Sequence, residues 1–145
     1  KLKGRFVCVY GDALLQFDLR RALDFHAAKK ATATMVLMKY SAEMKYGFME
    51  TDKEGRLTEW KEKPTISGYI NVGCYVMEKA FLRYIPSGRV YEMNDAFREA
   101  REDGAALYAI KVDGSFLDIG DRKSYREANE LYTRNMGEVG ISRQK

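Results

Sequence analysis

The sequence predicts an α/β fold: a mixed, mainly parallel sheet flanked by helices and carrying a β-hairpin insertion. Three observations predict it. Phe6-Val7-Cys8-Val9-Tyr10 is an unbroken apolar run ended by Gly11-Asp12, the pattern of a strand buried on both faces. Leu19, Ala22, Leu23, His26 and Ala27 then fall on one face of a helix. Thr32 to Tyr40 is β-branched and apolar again, so strand, helix and strand form a unit whose crossover joins parallel strands.

The remaining elements follow in order. Asp18 offers an N-cap to the first helix, and Lys29-Lys30 suit the negative end of its dipole. Residues 47–51 and 56–60 flank Asp52-Lys53-Glu54-Gly55, whose glycine supplies the positive φ of a hairpin turn. Pro64 is expected to stop pairing after Lys61-Glu62-Lys63. Tyr69 to Met77 reads as a strand interrupted by Gly73, and Lys79 to Ile85 as a short helix stopped by Pro86. Asn94-Asp95 caps a helix that Gly104 ends, and Ala105 to Val112 is a strand. Ser115 to Gly120 is a strand-to-loop junction. Asp121 caps a last helix with Tyr125, Ala128, Asn129 and Tyr132 on one face, and a polar, frayed tail is expected from Gly137.

Composition bounds the function. The 145 residues are 46% hydrophobic and 32% charged, which excludes a disordered chain and predicts one domain over 1–145. No apolar run approaches the roughly 20 residues of a membrane helix, and none resembles the core of a signal peptide. The 25 basic and 21 acidic residues are interspersed, without the basic clusters and interleaved aromatics of a nucleic-acid binder. Cys8 and Cys74 with a single histidine make neither a zinc site nor a disulfide framework. They read as reduced core thiols of a cytoplasmic protein. His26 reads as a packed side chain, Trp60 as hairpin packing and the seven methionines as core filler. The chain opens directly on a buried-type strand. That predicts either a missing N-terminal part or pairing with another copy.

Three places hold residue types that carry chemistry. Asp12 follows the first strand, at the edge of the sheet where α/β proteins bind ligands. It reads as a hard-cation ligand, with Gly11 allowing close approach, or equally as a turn residue. Asp118 repeats that placement and reads either as a second ligand or as a local backbone acceptor. Two such carboxylates suit Mg²⁺, which completes its shell with waters and phosphates. Glu62-Lys63 could meet sugar hydroxyls and a phosphate, or form a solvated strand end. Asn71 and Gly73 could present an amide and an open backbone, or form a bulge.

Taken together, Val7-Cys8-Val9-Tyr10-Gly11-Asp12, Tyr46-Gly47, Asp52-Lys53-Glu54-Gly55-Arg56-Leu57, Glu62-Lys63-Pro64, Ile70-Asn71-Val72-Gly73-Cys74-Tyr75-Val76 and Phe116-Leu117-Asp118-Ile119-Gly120 occur in one order with compatible gaps. This order resembles the sugar-1-phosphate nucleotidyltransferases, the NDP-sugar pyrophosphorylases, over nearly the whole chain. The stretch Asp121 to Asn129 resembles the helix that follows the family's second metal aspartate.

The resemblance implies a Rossmann-like, GT-A-like fold and a reaction. The phosphate of a sugar 1-phosphate, such as glucose or mannose 1-phosphate, attacks the α-phosphate of a nucleoside triphosphate. An NDP-sugar and pyrophosphate result. By the same resemblance Asp12 and Asp118 hold Mg²⁺, and Lys63 holds the sugar phosphate in line. Glu62 binds sugar hydroxyls, and Gly11, Gly47, Asn71, Gly73 and Tyr75 line the substrate site. No general base is needed, since the attacking phosphate is already an anion.

One part of the family pattern is absent. Members begin with a glycine-rich loop that cradles the triphosphate, whereas only Gly4 and Gly11 precede Asp12 here. The chain is therefore expected to be N-terminally incomplete. It would keep the sugar-phosphate half and both metal aspartates and be inactive alone. The alternative is a non-catalytic assembly or regulatory module of the same fold that pairs with another chain.

Overall fold

A computed structural model describes residues 2–138. Its centre is a four-stranded sheet in the order β1 (Phe6–Val9), β6 (Thr65–Met77), β3 (Ala33–Glu43) and β7 (Leu107–Val112). β1, β3 and β7 run in one direction and β6 in the other, since β6 is antiparallel to both neighbours while β3 and β7 are parallel. The sheet is mixed and helix-flanked, as the sequence predicts. The first strand and the strand after α1 (Leu19–Lys29) do share a direction. They are not neighbours, because β6 lies between them. The crossover rule fixes direction but not adjacency when a later strand fits the gap.

Two cores cover the two faces. Ala22 of α1 packs with Val36, Met38, Val72, Cys74, Val76 and Val112 on one side. On the other, Tyr75, Met77 and Phe81 pack against Ala96 and Ala100 of α2 (Met93–Glu102). Successive strand residues alternate between these layers, which is why β6 reads as continuously apolar from Val72 to Met77. The same alternation explains β1. Val7 faces the first core and Phe6 and Cys8 the second, so its apolar run serves both layers. Among the described residues β1 pairs with β6 alone. Arg5 and Glu78 hold the two strand ends together at 2.8 Å.

α1 begins where Asp18 accepts a hydrogen bond from the Arg20 N–H and ends at Lys30, in left-handed backbone. His26, on its inner face, is fully buried. Its Nδ1 lies 2.8 Å from the Thr34 hydroxyl and its Nε2 3.4 Å from Glu78. Burial holds its pKa below the ordinary value, with Arg5 adding to the effect and Glu78 opposing it.

Several boundaries differ from the sequence reading. A strand the sequence did not reveal, β2 (Ala13–Gln16), pairs antiparallel with β8 (Ser115–Asp118). Pro64 does not stop pairing: its carbonyl accepts from the Met44 N–H, and β6 starts at the next residue. Residues 65–69 pair with Lys39 to Glu43 of β3. This two-stranded stretch, with the hairpin β4 (Phe48–Thr51) and β5 (Leu57–Lys61), forms an exposed arm. The hairpin is the one the sequence predicts; the 65–69 extension of β6 was hidden by its mixed polarity, because neither of its faces is buried. Lys79–Tyr84 is a 3₁₀ helix, and α2 starts at Met93 without a side-chain cap. The last helix, α3 (Arg122–Glu138), includes Gly137 and Glu138, where a frayed tail was expected. The rest of that expected tail, 139–145, lies outside the described residues. No helix among the described residues is long and apolar enough to cross a membrane.

Candidate functional site

The β2–β8 pairing builds the first part of the site. Its register sets Ala13 opposite Asp118, so Asp12 lies opposite Ile119. The Ile119 N–H donates to the Asp12 carbonyl at 2.8 Å. Gly114, in the turn before β8, lies so close to the Gln16 carbonyl that a Cβ there would overlap it. Two segments more than a hundred residues apart are thus joined by main-chain hydrogen bonds.

The two carboxylates converge over Gly120. A Cβ at Gly120 would lie 3.1 Å from Asp118 Oδ1 and 3.5 Å from Asp12 Oδ2. The Gly120 N–H donates to Asp118 Oδ1 at 2.8 Å. Glycine keeps the space between the acids open, which is the cradle a small hard cation requires. Among the described residues no third histidine, cysteine or carboxylate joins them. Two carboxylates with the remaining positions left to water and phosphate are the ordinary protein share of a Mg²⁺ shell.

The second part lies along β1 and β6. Gly73 has φ +69°, and its Cβ would fall 2.6 Å from the Tyr10 ring, so both backbone and contact demand glycine. The Tyr10 N–H donates to the Gly73 carbonyl at 2.9 Å. Pairing with β3 is irregular here, stepping from Met35–Tyr75 to Leu37–Asn71. That irregularity is a bulge. Asn71 is absorbed by it. Its Oδ1 accepts from the Gly73 N–H at 3.0 Å, and its Nδ2 donates to the Tyr75 hydroxyl at 2.7 Å. Tyr75 in turn donates to Tyr10 at 3.1 Å. The Tyr75 side chain is 0% exposed, and burial pushes its pKa well above the ordinary phenol value. Tyr75 therefore stands behind the site and orients Tyr10 and Asn71, where the resemblance had it lining the site.

The third part is on the arm. A Cβ at Gly47 would lie 2.9 Å from Glu62 Oε2, so the Glu62 carboxylate sits over the Gly47 backbone. Lys63 is held in left-handed backbone, φ +40°, and is exposed. From Asn71 back to Thr65, β6 is paired to β3, six residues or roughly 20 Å of extended strand. No hydrogen bond or ion pair among the described residues joins the Gly47–Glu62–Lys63 group to the carboxylate pair. The structure brings Asp12 to Asp118, Asn71 to Gly73 and Tyr75, and Gly47 to Glu62, as three separate groups. A Cβ at Gly11 would meet open space, so nothing inside the protein requires glycine there.

Sequence reasoning missed Tyr10 and Gly120 as site residues. Gly120 was legible in principle, since a glycine two residues after a candidate ligand is a place where a side chain would intrude. Tyr10 was not, because its role depends on the bulge opposite it.

Cys8 is half-buried and Cys74 buried, and both are free thiols. Burial raises the pKa of each, that of Cys74 to about 11, which leaves them unreactive.

The comparisons with known proteins agree on one family. A family model described as nucleotidyl transferase matches residues 2–135. The chain is 35% identical over 130 residues to a UTP–glucose-1-phosphate uridylyltransferase of Synechocystis, covering 85% of this chain and 34% of the relative. It is 34% identical over 142 residues to a mannose-1-phosphate guanylyltransferase of Mycobacterium tuberculosis, covering 94% and 35%. The chain thus spans about a third of the length of the curated relatives it matches. Among solved structures, HddC from Yersinia pseudotuberculosis superposes with a TM-score of 0.61 at 18% identity, over 90% of this chain and 56% of that one. That likeness shows the fold.

Proposed function

This chain belongs to the nucleotidyl transferase family, and on that premise we propose that it serves transfer of a nucleotidyl group from a nucleoside triphosphate to a sugar 1-phosphate. One observation carries the reading: Asp12 and Asp118 converge over a glycine that leaves room for a cation. The matched relatives act with different bases and sugars by name, and sugar-1-phosphate nucleotidyl transfer is what they share.

In this reading Asp12 and Asp118 would hold Mg²⁺. When bound there, it would neutralise charge developing on the α-phosphate. The rest is done by the chain's own side chains. Lys63 holds the sugar phosphate as a compact point charge, aligned for attack. Glu62 accepts hydrogen bonds from sugar hydroxyls, and the bare Gly47 backbone lets the ring approach. Asn71 keeps Gly73 in its bulge, and Tyr75 orients Tyr10 at the rim. Residues 1–145 are one partial catalytic domain, in which Glu62 and Lys63 on the arm serve the same reaction as the carboxylates. The sequence holds no glycine-rich triphosphate loop, so the chain by itself is proposed to bind sugar phosphate and Mg²⁺ without turnover.

The test is calorimetric. Asp12→Asn and Asp118→Asn should each weaken Mg²⁺ binding at least about tenfold. Lys63→Ala should weaken glucose 1-phosphate binding and leave Mg²⁺ binding intact. Unchanged Mg²⁺ affinity in both aspartate variants overturns the reading. Pyrophosphate release by the chain alone would refute only the claim that it does not turn over.

A further inference from the structure

An open cleft of about 380 Å³ adjoins the carboxylate pair and is lined by Ile119, Gly120, Asp121, Arg122, Tyr125 and Arg126. Gly120 is the shared wall, since it also separates Asp118 from Asp12. The first turns of α3 carry three cations with different circumstances. Lys123 pairs with Glu127 at 3.8 Å. Arg122 and Arg126, four residues apart and so on one helix face, make no ion pair among the described residues, and both border the cleft. The helix amides do not serve it. The N–H groups of Lys123 and Ser124 donate to Asp121 Oδ1 at 2.7 and 2.9 Å. Those bonds, with Lys123 nearby, hold the Asp121 carboxyl ionised below the usual range. An anion entering here would be met by two guanidinium groups, whose planar forks match phosphate oxygens. Tyr125, between them in sequence, also lines the cleft.

We propose that this cleft is a phosphate subsite: Arg122 and Arg126 hold a phosphate group of the substrate or product beside the Asp12–Asp118 pair, across Gly120. The proposal rests on the nucleotidyl-transfer reading for its ligand class. Neither arginine was singled out in the sequence. Two phosphate sources share the chemistry, the pyrophosphate moiety of the triphosphate and the phosphate of the sugar.

Calorimetric titration of the 145-residue chain with inorganic pyrophosphate and, separately, with glucose 1-phosphate tests the subsite, each with and without Mg²⁺. Arg122→Gln and Arg126→Gln should each weaken at least one of the two ligands about tenfold, the size of one lost charge-assisted hydrogen bond. Arg126→Lys should recover part of that loss. Lys123→Gln removes the same charge from the same helix and should change affinity less than about twofold. The ligand that responds identifies the source. Both arginines are exposed, so the variants should keep the parent melting temperature, and thermal unfolding checks that they do. Three results would each overturn the subsite: no uptake of either ligand by the parent chain, equal loss in Lys123→Gln, or no loss in either arginine variant. Failure of the underlying reading looks different. It removes the Mg²⁺ dependence and its sensitivity to Asp12→Asn while leaving the arginine effect measurable without metal.

Discussion

The body of the molecule and its arm are built from similar residues and held in opposite ways. In the body, Tyr75, Phe81, Met77 and Val36 are fully buried between sheet and helices. On the arm, Trp60 and Leu57 stand well exposed on a paired strand, and Tyr46 on the bend before the hairpin. Aromatic content does not separate the two regions; coverage on both faces does. The contrast extends to function. Asp12 and Asp118 are placed by strands that lean on the body core through Leu15 and Phe116. Glu62 and Lys63 are placed only by local pairing at the arm's end. The two carboxylates proposed to hold a cation are therefore anchored to the core, and the groups proposed to hold the sugar phosphate are anchored only to the arm. That division suits a site that must receive a substrate and then close on it.

Substitutions can break or sharpen this contrast. The largest effect belongs to the body: Phe81→Ala should cost about 3–5 kcal/mol, because it opens a cavity against Tyr84 and Phe97. Gly73→Ala comes next, at about 2–3 kcal/mol, from left-handed backbone plus overlap with the Tyr10 ring. Urea unfolding measures both.

A smaller effect depends on pH. The folded state depresses the pKa of His26, so the unfolded chain binds the proton more readily. Stability is full above the unfolded value, about 6.5, and declines as pH falls below it toward the folded value. The melting temperature should therefore drop between pH 7.5 and pH 5, and His26→Gln should flatten that part of the profile. Gly120→Ala should shift stability by less than about 1 kcal/mol. Its methyl group between the carboxylates should nonetheless weaken Mg²⁺ uptake, as calorimetry would show. The smallest effect is on the arm: Trp60→Ala should change stability by less than about 0.5 kcal/mol. If it rivals Phe81→Ala, the arm is packed rather than free and the contrast collapses.

What the sequence disclosed follows the same division. β1, α1, the inner half of β3 and Val72 to Met77 are legible because one pattern of burial runs through each. The Asp18 cap and the glycine of the 52–55 turn are legible because they act locally. β2 is four residues of Ala-Leu-Leu-Gln, too short for a period to declare itself, and its partner β8 is about a hundred residues away. The outer part of β6 hides behind Pro64, because a proline can begin an edge segment as readily as end one. Aspartates at strand ends were visible as candidates from residue type. That they meet over Gly120 depends on the β2–β8 register, which no local pattern encodes.

The hydrogen bond from the Ile119 N–H to the Asp12 carbonyl has a consequence for ion choice. A gap spaced by side chains alone can widen or narrow to suit its occupant. Here the main chains that carry Asp12 and Asp118 are tied to each other, so only the two side chains are left to adjust. On the proposed reading such a tether favours a small ion such as Mg²⁺ over Ca²⁺, which asks for more oxygen ligands than two aspartates supply.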